Sequence, residues 1–270
     1  MRIVVCIKQV PETTNVTMDP ETGTVVRSGL KSIVNPLDLF AIEAALLLRE
    51  AHGGEVFVVC MGPPAADAAV REAIAMGCDR GVLVTDRKFA GSDTWVTSRV
   101  LATAIEENGP FDLLLFGERA TDGDTGQVGP GVASFLDLPV VTYVSDMTVR
   151  DDVVEMRRLV ETGYERYRCT LPLAVTVVKE IAYPRLPTLS GKKRARLAEV
   201  PVLSNAEFGL DETTIGLKGS PTRVEKIHKP RISREGERIV VRDESDALAA
   251  VDRIVTYLRE NHLLTPGGTS

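Results

Sequence analysis

Short apolar runs alternate with amphipathic stretches through the first half of the chain. The apolar runs predict strands at Arg2–Ile7, Glu55–Cys60, Gly81–Val84, Phe111–Phe116 and Val140–Val144. Apolar residues at three- and four-residue spacing predict helices at Asp38–His52, after Pro64 to about Met76, at Asp93–Asn108 and at Gly126–Leu136. Strands that are apolar throughout and alternate with helices are typical of a parallel sheet buried on both faces. We therefore predict an α/β fold with a mostly parallel sheet and helices on both faces.

The second half of the chain follows a different pattern. Val153–Leu159 and Arg166–Val178 predict an antiparallel pair, with a turn near Gly163, that extends the same sheet. Beyond about residue 184 prolines interrupt a polar stretch, and only Ser245–Glu260 recovers a helical period. A tail with one helix cannot bury a core of its own, so it is either disordered or lies along another protein. Its apolar residues favour the second interpretation: Val200, Val202, Leu203, Phe208 and Leu210.

Composition narrows the possible functions. The formal net charge is -6, whereas nucleic-acid binders carry a basic surplus, so no nucleic-acid partner is expected. No apolar run reaches the roughly 18 residues of a membrane helix. The N-terminus predicts a strand with no signal-peptide cleavage site after it, so we expect a cytoplasmic location. The four cysteines form no C-x-x-C pair and histidines number only three, so no metal site is expected.

The segment 117–130 holds the most informative motif. It reads GERATDGDTGQVGP and joins a predicted core strand to a predicted helix. Its glycines at 123, 126 and 129 let main-chain N–H groups approach a ligand closely. A helix N-terminus attracts phosphate, and Thr125 and Gln127 can add side-chain donors. The order differs from both the G-x-G-x-x-G motif and the P-loop.

Two other interpretations of this segment compete with phosphate binding. A calcium loop starting at Asp122 would need a glutamate at its twelfth position, where Ala133 stands, so that interpretation fails. A plain N-capping turn without a ligand stays open. Asp122 and Asp124 would repel a phosphate unless they point away or bind the loop's own N–H groups.

Further short motifs occur in order around this segment. They read VVCIKQVP at 4–11, NPLD at 35–38, MGP at 61–63, AMGCDR at 75–80, LPLAVT at 171–176, GKKRAR at 191–196 and SPT at 220–222. Each is weak alone, but together they resemble the β subunit of electron-transfer flavoproteins. The resemblance implies a nucleotide-binding, adenine-nucleotide-hydrolase-like core at 1–183. It also implies a partner-docking loop and an arm at 184–270 that packs on the α subunit.

The resemblance also implies a cofactor site. It places a nucleotide against Cys6, Asn35, Asp38, Met61 and the loop residues Gly117, Arg119, Asp122, Gly123, Asp124, Thr125, Gly126, Gln127, Val128, Gly129 and Pro130. The loop, and the segment 86–94 with Asp93 and Thr94, resemble the electron-bifurcating branch, where the ligand is FAD. Another branch binds AMP, which is the alternative here. For Asp93 and Thr94 a plain helix N-cap stays open.

The implied function is electron transfer in a heterodimer whose α subunit holds the main FAD. In the bifurcating branch the FAD of the β subunit takes hydride from NADH. One electron then goes to ferredoxin or flavodoxin, and the other passes through the flavin of the α subunit. The alternative is a single-flavin shuttle for acyl-CoA-type dehydrogenases, with structural AMP in this subunit. A flavin supplies the redox chemistry itself, so no acid, base or nucleophile is expected.

A basic segment follows the predicted core. Leu189 matches a leucine that this family inserts into a flavin dehydrogenase, and Lys192, Lys193 and Arg194 would add charges to the contact. A solvated basic loop stays open as the plainer interpretation. The preceding Pro184–Thr188 differs from the family's aromatic version.

Two other functions fit less well. A stand-alone nucleotide-binding module would need a self-sufficient C-terminus. An ATP-using enzyme of this fold would need a Ser-Gly-Gly-x-Asp-Ser-type loop after the first strand, where the chain has Lys8-Gln9-Val10-Pro11.

Overall fold

The computed structural model describes residues 1–12, 32–225 and 238–264. Its strands are β1 (Arg2–Ile7), β2 (Gln9–Pro11), β3 (Ser32–Val34), β4 (Glu55–Met61), β5 (Arg80–Val84), β6 (Leu113–Gly117), β7 (Val140–Arg150), β8 (Val153–Val160), β9 (Gly163–Thr170), β10 (Leu173–Val177) and β11 (Val202–Leu203). Its helices are α1 (Asp38–His52), α2 (Asp67–Met76), α3 (Thr94–Asn108), α4 (Val128–Phe135), α5 (Leu189–Leu197), α6 (Asn205–Phe208), α7 (Gly216–Gly219) and α8 (Glu244–Glu260). None of these helices is long and apolar enough to cross a bilayer.

Nine of the described strands form one sheet in the order β11-β5-β4-β1-β6-β10-β7-β8-β9, and β2 and β3 form a separate antiparallel pair. From β11 to β7 all neighbours are parallel, while β8 and β9 continue the sheet as an antiparallel hairpin. The β-branched, apolar sequences of the central strands suit burial on both faces. The predicted fold class, an α/β fold with a mostly parallel sheet and helices on both faces, is confirmed.

Alternate residues of strand β1 pack into two separate hydrophobic cores. Ile3, Val5 and Ile7 share one buried cluster with the apolar faces of α1 and α2. Val4 and Cys6 point the other way and share a second cluster with α3 and α4. Because side chains alternate along a strand, both faces of the sheet are covered by helices.

The prediction of one strand at Arg166–Val178 is wrong. The chain forms two strands there, β9 and β10, and Pro172 between them has no N–H to donate to a ladder. The antiparallel partner of β8 is β9, and Gly163 at φ +140 stands at the turn, as predicted. Strand β10 instead enters the sheet between β6 and β7, parallel to both.

Residues 184–225 contain short elements that the sequence pattern did not predict. Helix α5 packs on α2, and β11 pairs with β5 at the edge of the sheet. The chain divides into compact units at residues 1–227 and 228–270, so part of the predicted arm belongs to the first unit. In the second unit the predicted helix is present as α8. Residues 226–237 and 265–270 of the arm lie outside the described residues, and its docking on a partner stays a prediction.

Candidate functional site

The chain leaves two neighbouring central strands toward opposite faces of the sheet. After β1 it returns through α1, which belongs to one core, and after β6 it returns through α4, which belongs to the other. Between two such departures a crevice opens at the carboxyl edge, where parallel sheets bind their ligands. The predicted loop 117–130 begins at this edge.

Asp38 joins the ends of both strands. It is the first residue of α1, and its Oδ2 accepts a hydrogen bond from the Lys8 main-chain N–H at 2.7 Å. Gly117, at the end of β6, lies so close that a methyl group there would overlap Asp38 Oδ1. Burial raises the pKa of the Asp38 carboxyl to about 7, although hydrogen bonds from Asn35, Lys8 and Gly117 favour the charged form.

Asn35 fixes the start of the loop. Its fully buried side chain donates to the carbonyl of Arg119 at 2.9 Å and accepts from the N–H of Thr121 at 3.1 Å. Both ends of the amide are therefore used by the loop's own main chain. Asn35 positions the loop.

The acidic side chains of the loop are paired with cations. Asp122 accepts from Lys8 Nζ at 2.7 Å, and Asp124 lies 3.1 Å from Arg119 Nε. Glu118 is also 3.4 Å from Arg119 Nε. The repulsion expected between these carboxylates and a phosphate is offset by the two ion pairs.

The main chain at Gly123 and Gly126, together with the N-terminus of α4, makes a turn that is here called the cradle. Gly126 has φ +62, a left-handed conformation that glycine adopts without strain. A methyl group at Gly123 would meet no atom within 4 Å, so the main chain is open there. No described side chain caps the N-terminus of α4, because Gln127 makes no such bond. The residues present therefore fit a phosphate group. The helix predicted from Gly126 begins two residues later, at Val128, because φ +62 is not helical.

The remaining predicted contacts lie around the same edge. Cys6 is buried in β1, and burial raises the pKa of its thiol. Met61 ends β4, and Thr94 opens α3. Asp93 is the N-cap of α3: its carboxylate accepts from Val96 N–H at 3.0 Å and from Thr222 Oγ1 at 2.7 Å. A cofactor contact by any of these residues stays a prediction.

Three residues beside the loop were not predicted. Ser98 donates to the carbonyl of Val128 at the start of α4, at 3.3 Å. Thr176 is a buried polar residue in the otherwise apolar β10, and its hydroxyl accepts from the N–H of Tyr143 at 3.0 Å. The sequence alone could have indicated Thr176, because it is a single polar residue within an apolar strand. Nothing in the sequence around Tyr143 indicates a role at the site.

Comparisons with known proteins identify the family of this chain. The Electron transfer flavoprotein domain matches residues 22–207. The electron transfer flavoprotein subunit beta of Thermoanaerobacterium thermosaccharolyticum is 42% identical over 265 residues, which are 98% of this chain and 100% of that protein. This chain belongs to the electron transfer flavoprotein family, as a β subunit.

Other relatives of this electron transfer flavoprotein subunit carry different names. The caffeyl-CoA reductase-Etf complex subunit CarD of Acetobacterium woodii is 41% identical over 265 residues, which are 98% of this chain and 100% of that protein. Protein FixA of Bradyrhizobium diazoefficiens is 40% identical over 262 residues, which are 94% of this chain and 91% of that protein. The resemblance predicted from the motifs is confirmed. As a β subunit, the chain transfers electrons together with an α subunit and a dehydrogenase.

The predicted docking residues of this electron transfer flavoprotein subunit lie on α5. Leu189 opens the helix and is 87% exposed, and Lys192 and Lys193 are exposed as well. Arg194 is exposed too, but it is tied to α2: its Nη2 donates to the carbonyls of Ile74 at 2.6 Å and Cys78 at 3.1 Å. A part in docking stays a prediction for all four residues.

Two ion pairs of Arg185, here called the clamp, fix the segment that precedes α5. Arg185 bonds through Nη2 to Glu43 Oε1 at 2.8 Å and through Nη1 to Glu50 Oε1 at 2.5 Å. Both glutamates belong to α1, and these bonds raise the pKa of the Arg185 guanidinium. Tyr183 and Leu186, on either side of the clamp, are almost fully exposed. The clamp therefore fixes the main chain from which two apolar side chains project into solvent.

Proposed function

We propose that this β subunit binds FAD in the loop 117–130 and that NADH reduces this FAD. The observation that carries the proposal is the glycine cradle at the sheet's carboxyl edge, where the N-terminus of α4 has no described side-chain cap. The positive end of a helix dipole and free N–H groups bind phosphates well. The ion pairs Lys8–Asp122 and Arg119–Asp124 support it, because they offset the carboxylate charge beside the cradle.

Both FAD and AMP carry the phosphate that this cradle suits, and we propose FAD. The main chain is open at Gly123, which favours a pyrophosphate over a single phosphate. A bound flavin supplies hydride acceptance and one-electron transfer. The proposed function is electron bifurcation, with ferredoxin or flavodoxin as one acceptor and the flavin of the α subunit as the other. The alternative is structural AMP in a single-flavin shuttle.

The chain's own residues bind and orient the cofactor in this proposal. Asn35 holds the loop entrance, and Asp38 joins the ends of β1 and β6. The main-chain N–H groups at the start of α4 face the phosphates. No residue acts as acid, base or nucleophile.

The proposed dehydrogenase contact is the exposed Leu189 with Lys192 and Lys193. The relative whose name places it in a caffeyl-CoA reductase complex supports a partner that acts on CoA thioesters. One apolar anchor among charges suits a transient contact, since the anchor adds affinity and the charges speed association.

Counting bound nucleotides tests the cofactor. The chain is co-expressed with its α subunit, and FAD and AMP are measured per heterodimer after acid release. Two FAD without AMP, together with bleaching of the flavin by NADH, is the expected result. One FAD with one AMP would replace the proposal by its alternative. A single FAD and no AMP would contradict nucleotide binding by this subunit.

A pair of variants assigns the second nucleotide to the loop. Gly126→Ala puts a side chain at φ +62 and is expected to lower the second nucleotide alone. Gly209→Ala is the matched control, because it places a side chain at nearly the same φ, +61, at the end of α6, where a methyl group meets no atom within 4 Å. Equal nucleotide content in both variants would place the nucleotide elsewhere.

A further inference from the structure

Tyr143 has a main-chain conformation that bulky residues rarely adopt. Its φ is +57, within strand β7. The register passes from the pair Val141–Val175 to the pair Val144–Val177, so two residues of β7 stand opposite Thr176 alone. This is a β-bulge, a feature that redirects side chains and is frequent near active sites. A left-handed tyrosine is strained, and such strain clusters at functional sites.

The bulge lies at the carboxyl edge beside the cofactor loop. Thr176 stands opposite Phe116 in β6, one residue before the loop begins at Gly117. Its hydroxyl accepts the Tyr143 N–H at 3.0 Å, while its methyl group lies 2.8 Å from where a Cβ of Gly129 would stand. Thr176 therefore accepts a hydrogen bond from the strained tyrosine and also packs against the start of α4.

The tyrosine side chain reaches the turn of the loop. Its hydroxyl lies 3.7 Å from where a Cβ of Gly126 would stand, beside the left-handed glycine of the cradle. The residue is 40% exposed, and its hydroxyl makes no hydrogen bond to a described residue. A phenol is both donor and acceptor, and it normally finds a partner where it is partly buried. This donor therefore stands unused at the edge of the cradle.

We propose that Tyr143 contacts the nucleotide, with its hydroxyl donating a hydrogen bond to a phosphate oxygen in the loop 117–130. The inference rests on the proposed nucleotide site and adds a residue that neither the motifs nor the resemblance indicated. The strained bulge turns the phenol toward Gly126, and the bond from Tyr143 N–H to Thr176 holds it there.

Titration with nucleotides of different phosphate content tests this role. The heterodimer with the α subunit is prepared with the nucleotide removed from this chain. It is then titrated with ADP, AMP and adenosine in a calorimeter. Tyr143→Phe keeps the ring and removes only the hydroxyl. It is expected to weaken ADP and AMP about ten-fold, as for loss of one hydrogen bond to a charged group, and to leave adenosine unchanged.

Two further variants separate contact from structure. Tyr164→Phe removes the hydroxyl of an exposed tyrosine on β9 and is expected to bind like the natural chain. Tyr143→Gly relieves the strain at φ +57 but also removes the partly buried ring, so only its affinity is compared: it should bind ADP at least as weakly as Tyr143→Phe. Weak binding together with a matching fall in the melting temperature of Tyr143→Phe would indicate a purely structural role and overturn the proposal.

The remaining outcomes are distinct. Unchanged ADP affinity in Tyr143→Phe would overturn this inference and leave the nucleotide site intact. An equal loss for adenosine would also overturn it, because the contact would then not be with phosphate. If the natural chain bound neither ADP nor AMP, the proposed nucleotide site would itself be wrong, and the inference with it.

Discussion

Buried polar side chains at the carboxyl edge bind main chain. The amide of Asn35 is taken up by residues 119 and 121, and the carboxylate of Asp38 by the N–H of Lys8. Thr176 is used in the same way by Tyr143. A buried polar group without a partner is costly, so each of these side chains fixes a particular course of the chain. In the proposed cofactor site, their contribution is the shape of the loops.

Asp38 gives the protein a specific pH dependence. Its pKa is raised from an ordinary 3.8 to about 7, so between these values the folded chain holds a proton that the unfolded chain has lost. The free energy of unfolding therefore falls as pH rises through this window, by at most about 1.4 kcal/mol per pH unit from this group, and levels off above pH 7. Urea denaturation from pH 4.5 to 8 measures it. Asp38→Asn should show a flatter slope, and equal slopes would contradict the assignment.

Two glycines of the same loop are expected to respond oppositely to alanine. At Gly117 a methyl group would lie 2.8 Å from the carbonyl carbon of Leu37 and would overlap the Asp38 carboxylate, and main chain cannot move aside. Gly117→Ala should therefore cost about 1–3 kcal/mol in urea denaturation. Gly123→Ala meets nothing within 4 Å and should stay within about 0.5 kcal/mol of the natural chain. Equal losses in both would contradict the described packing at β6.

At the scale of elements, α2 and α5 cap each other. Arg194 of α5 donates to the carbonyls that end α2, and Arg71 of α2 donates to Ala195 at 2.6 Å and Ala198 at 3.0 Å, which end α5. The last carbonyls of a helix have no partner within it, so each arginine satisfies the other helix. This exchange locks α5 onto α2 and fixes where Leu189 projects.

The two ends of α5 should separate stability from docking. Arg194→Ala is expected to cost about 1–3 kcal/mol of unfolding free energy, because it leaves carbonyls of α2 without a donor. Leu189→Ala should leave stability within about 0.5 kcal/mol and slow electron transfer to the dehydrogenase about ten-fold, as for loss of a central apolar anchor. Lys193→Ala, exposed on the same helix, is the control for stability. A stable Arg194→Ala protein would contradict the mutual caps.

Elements with a long periodic signal were predicted, and elements defined by long-range contacts were not. The pattern gave α1 at Asp38–His52 with its observed bounds, because fifteen residues carry several turns of amphipathic spacing. Helix α5 was not predicted because its sequence LSGKKRARL is mostly polar. It is stabilised instead by Gly191, which packs on Ala75, and by the arginine caps. Strand β10 was joined to β9 because sheet position depends on partners distant in sequence. The loop 117–130 was predicted by its glycines, but the bulge at Tyr143 has no local signature.

At the scale of the whole molecule, the described residues of the second unit do not by themselves account for the stability of its helix α8. Within it, α8 is capped by Asp243, whose side chain accepts from Asp246 N–H at 2.9 Å. Leu248, Val251 and Ile254 follow each other at three-residue spacing and are more than half exposed. A helix gains most of its stability from packing such a face on another element. For a β subunit of an electron transfer flavoprotein, we propose the α subunit as the partner of this face.

Charge placed on either side of α8 tests this docking. Ile254→Asp puts a carboxylate on the apolar face and should weaken the α–β complex roughly ten- to hundred-fold, since a buried anchor is replaced by a charge that must lose its water. Thr256→Asp adds the same charge on the opposite side of the helix and should leave the affinity unchanged. Both affinities are measured with a tagged β subunit and purified α subunit. The unfolding of the first unit should be the same in both variants, because neither residue belongs to it. If Ile254→Asp bound the α subunit as tightly as Thr256→Asp, the apolar face of α8 would not be the docking surface, and the arm would have to act through another of its residues.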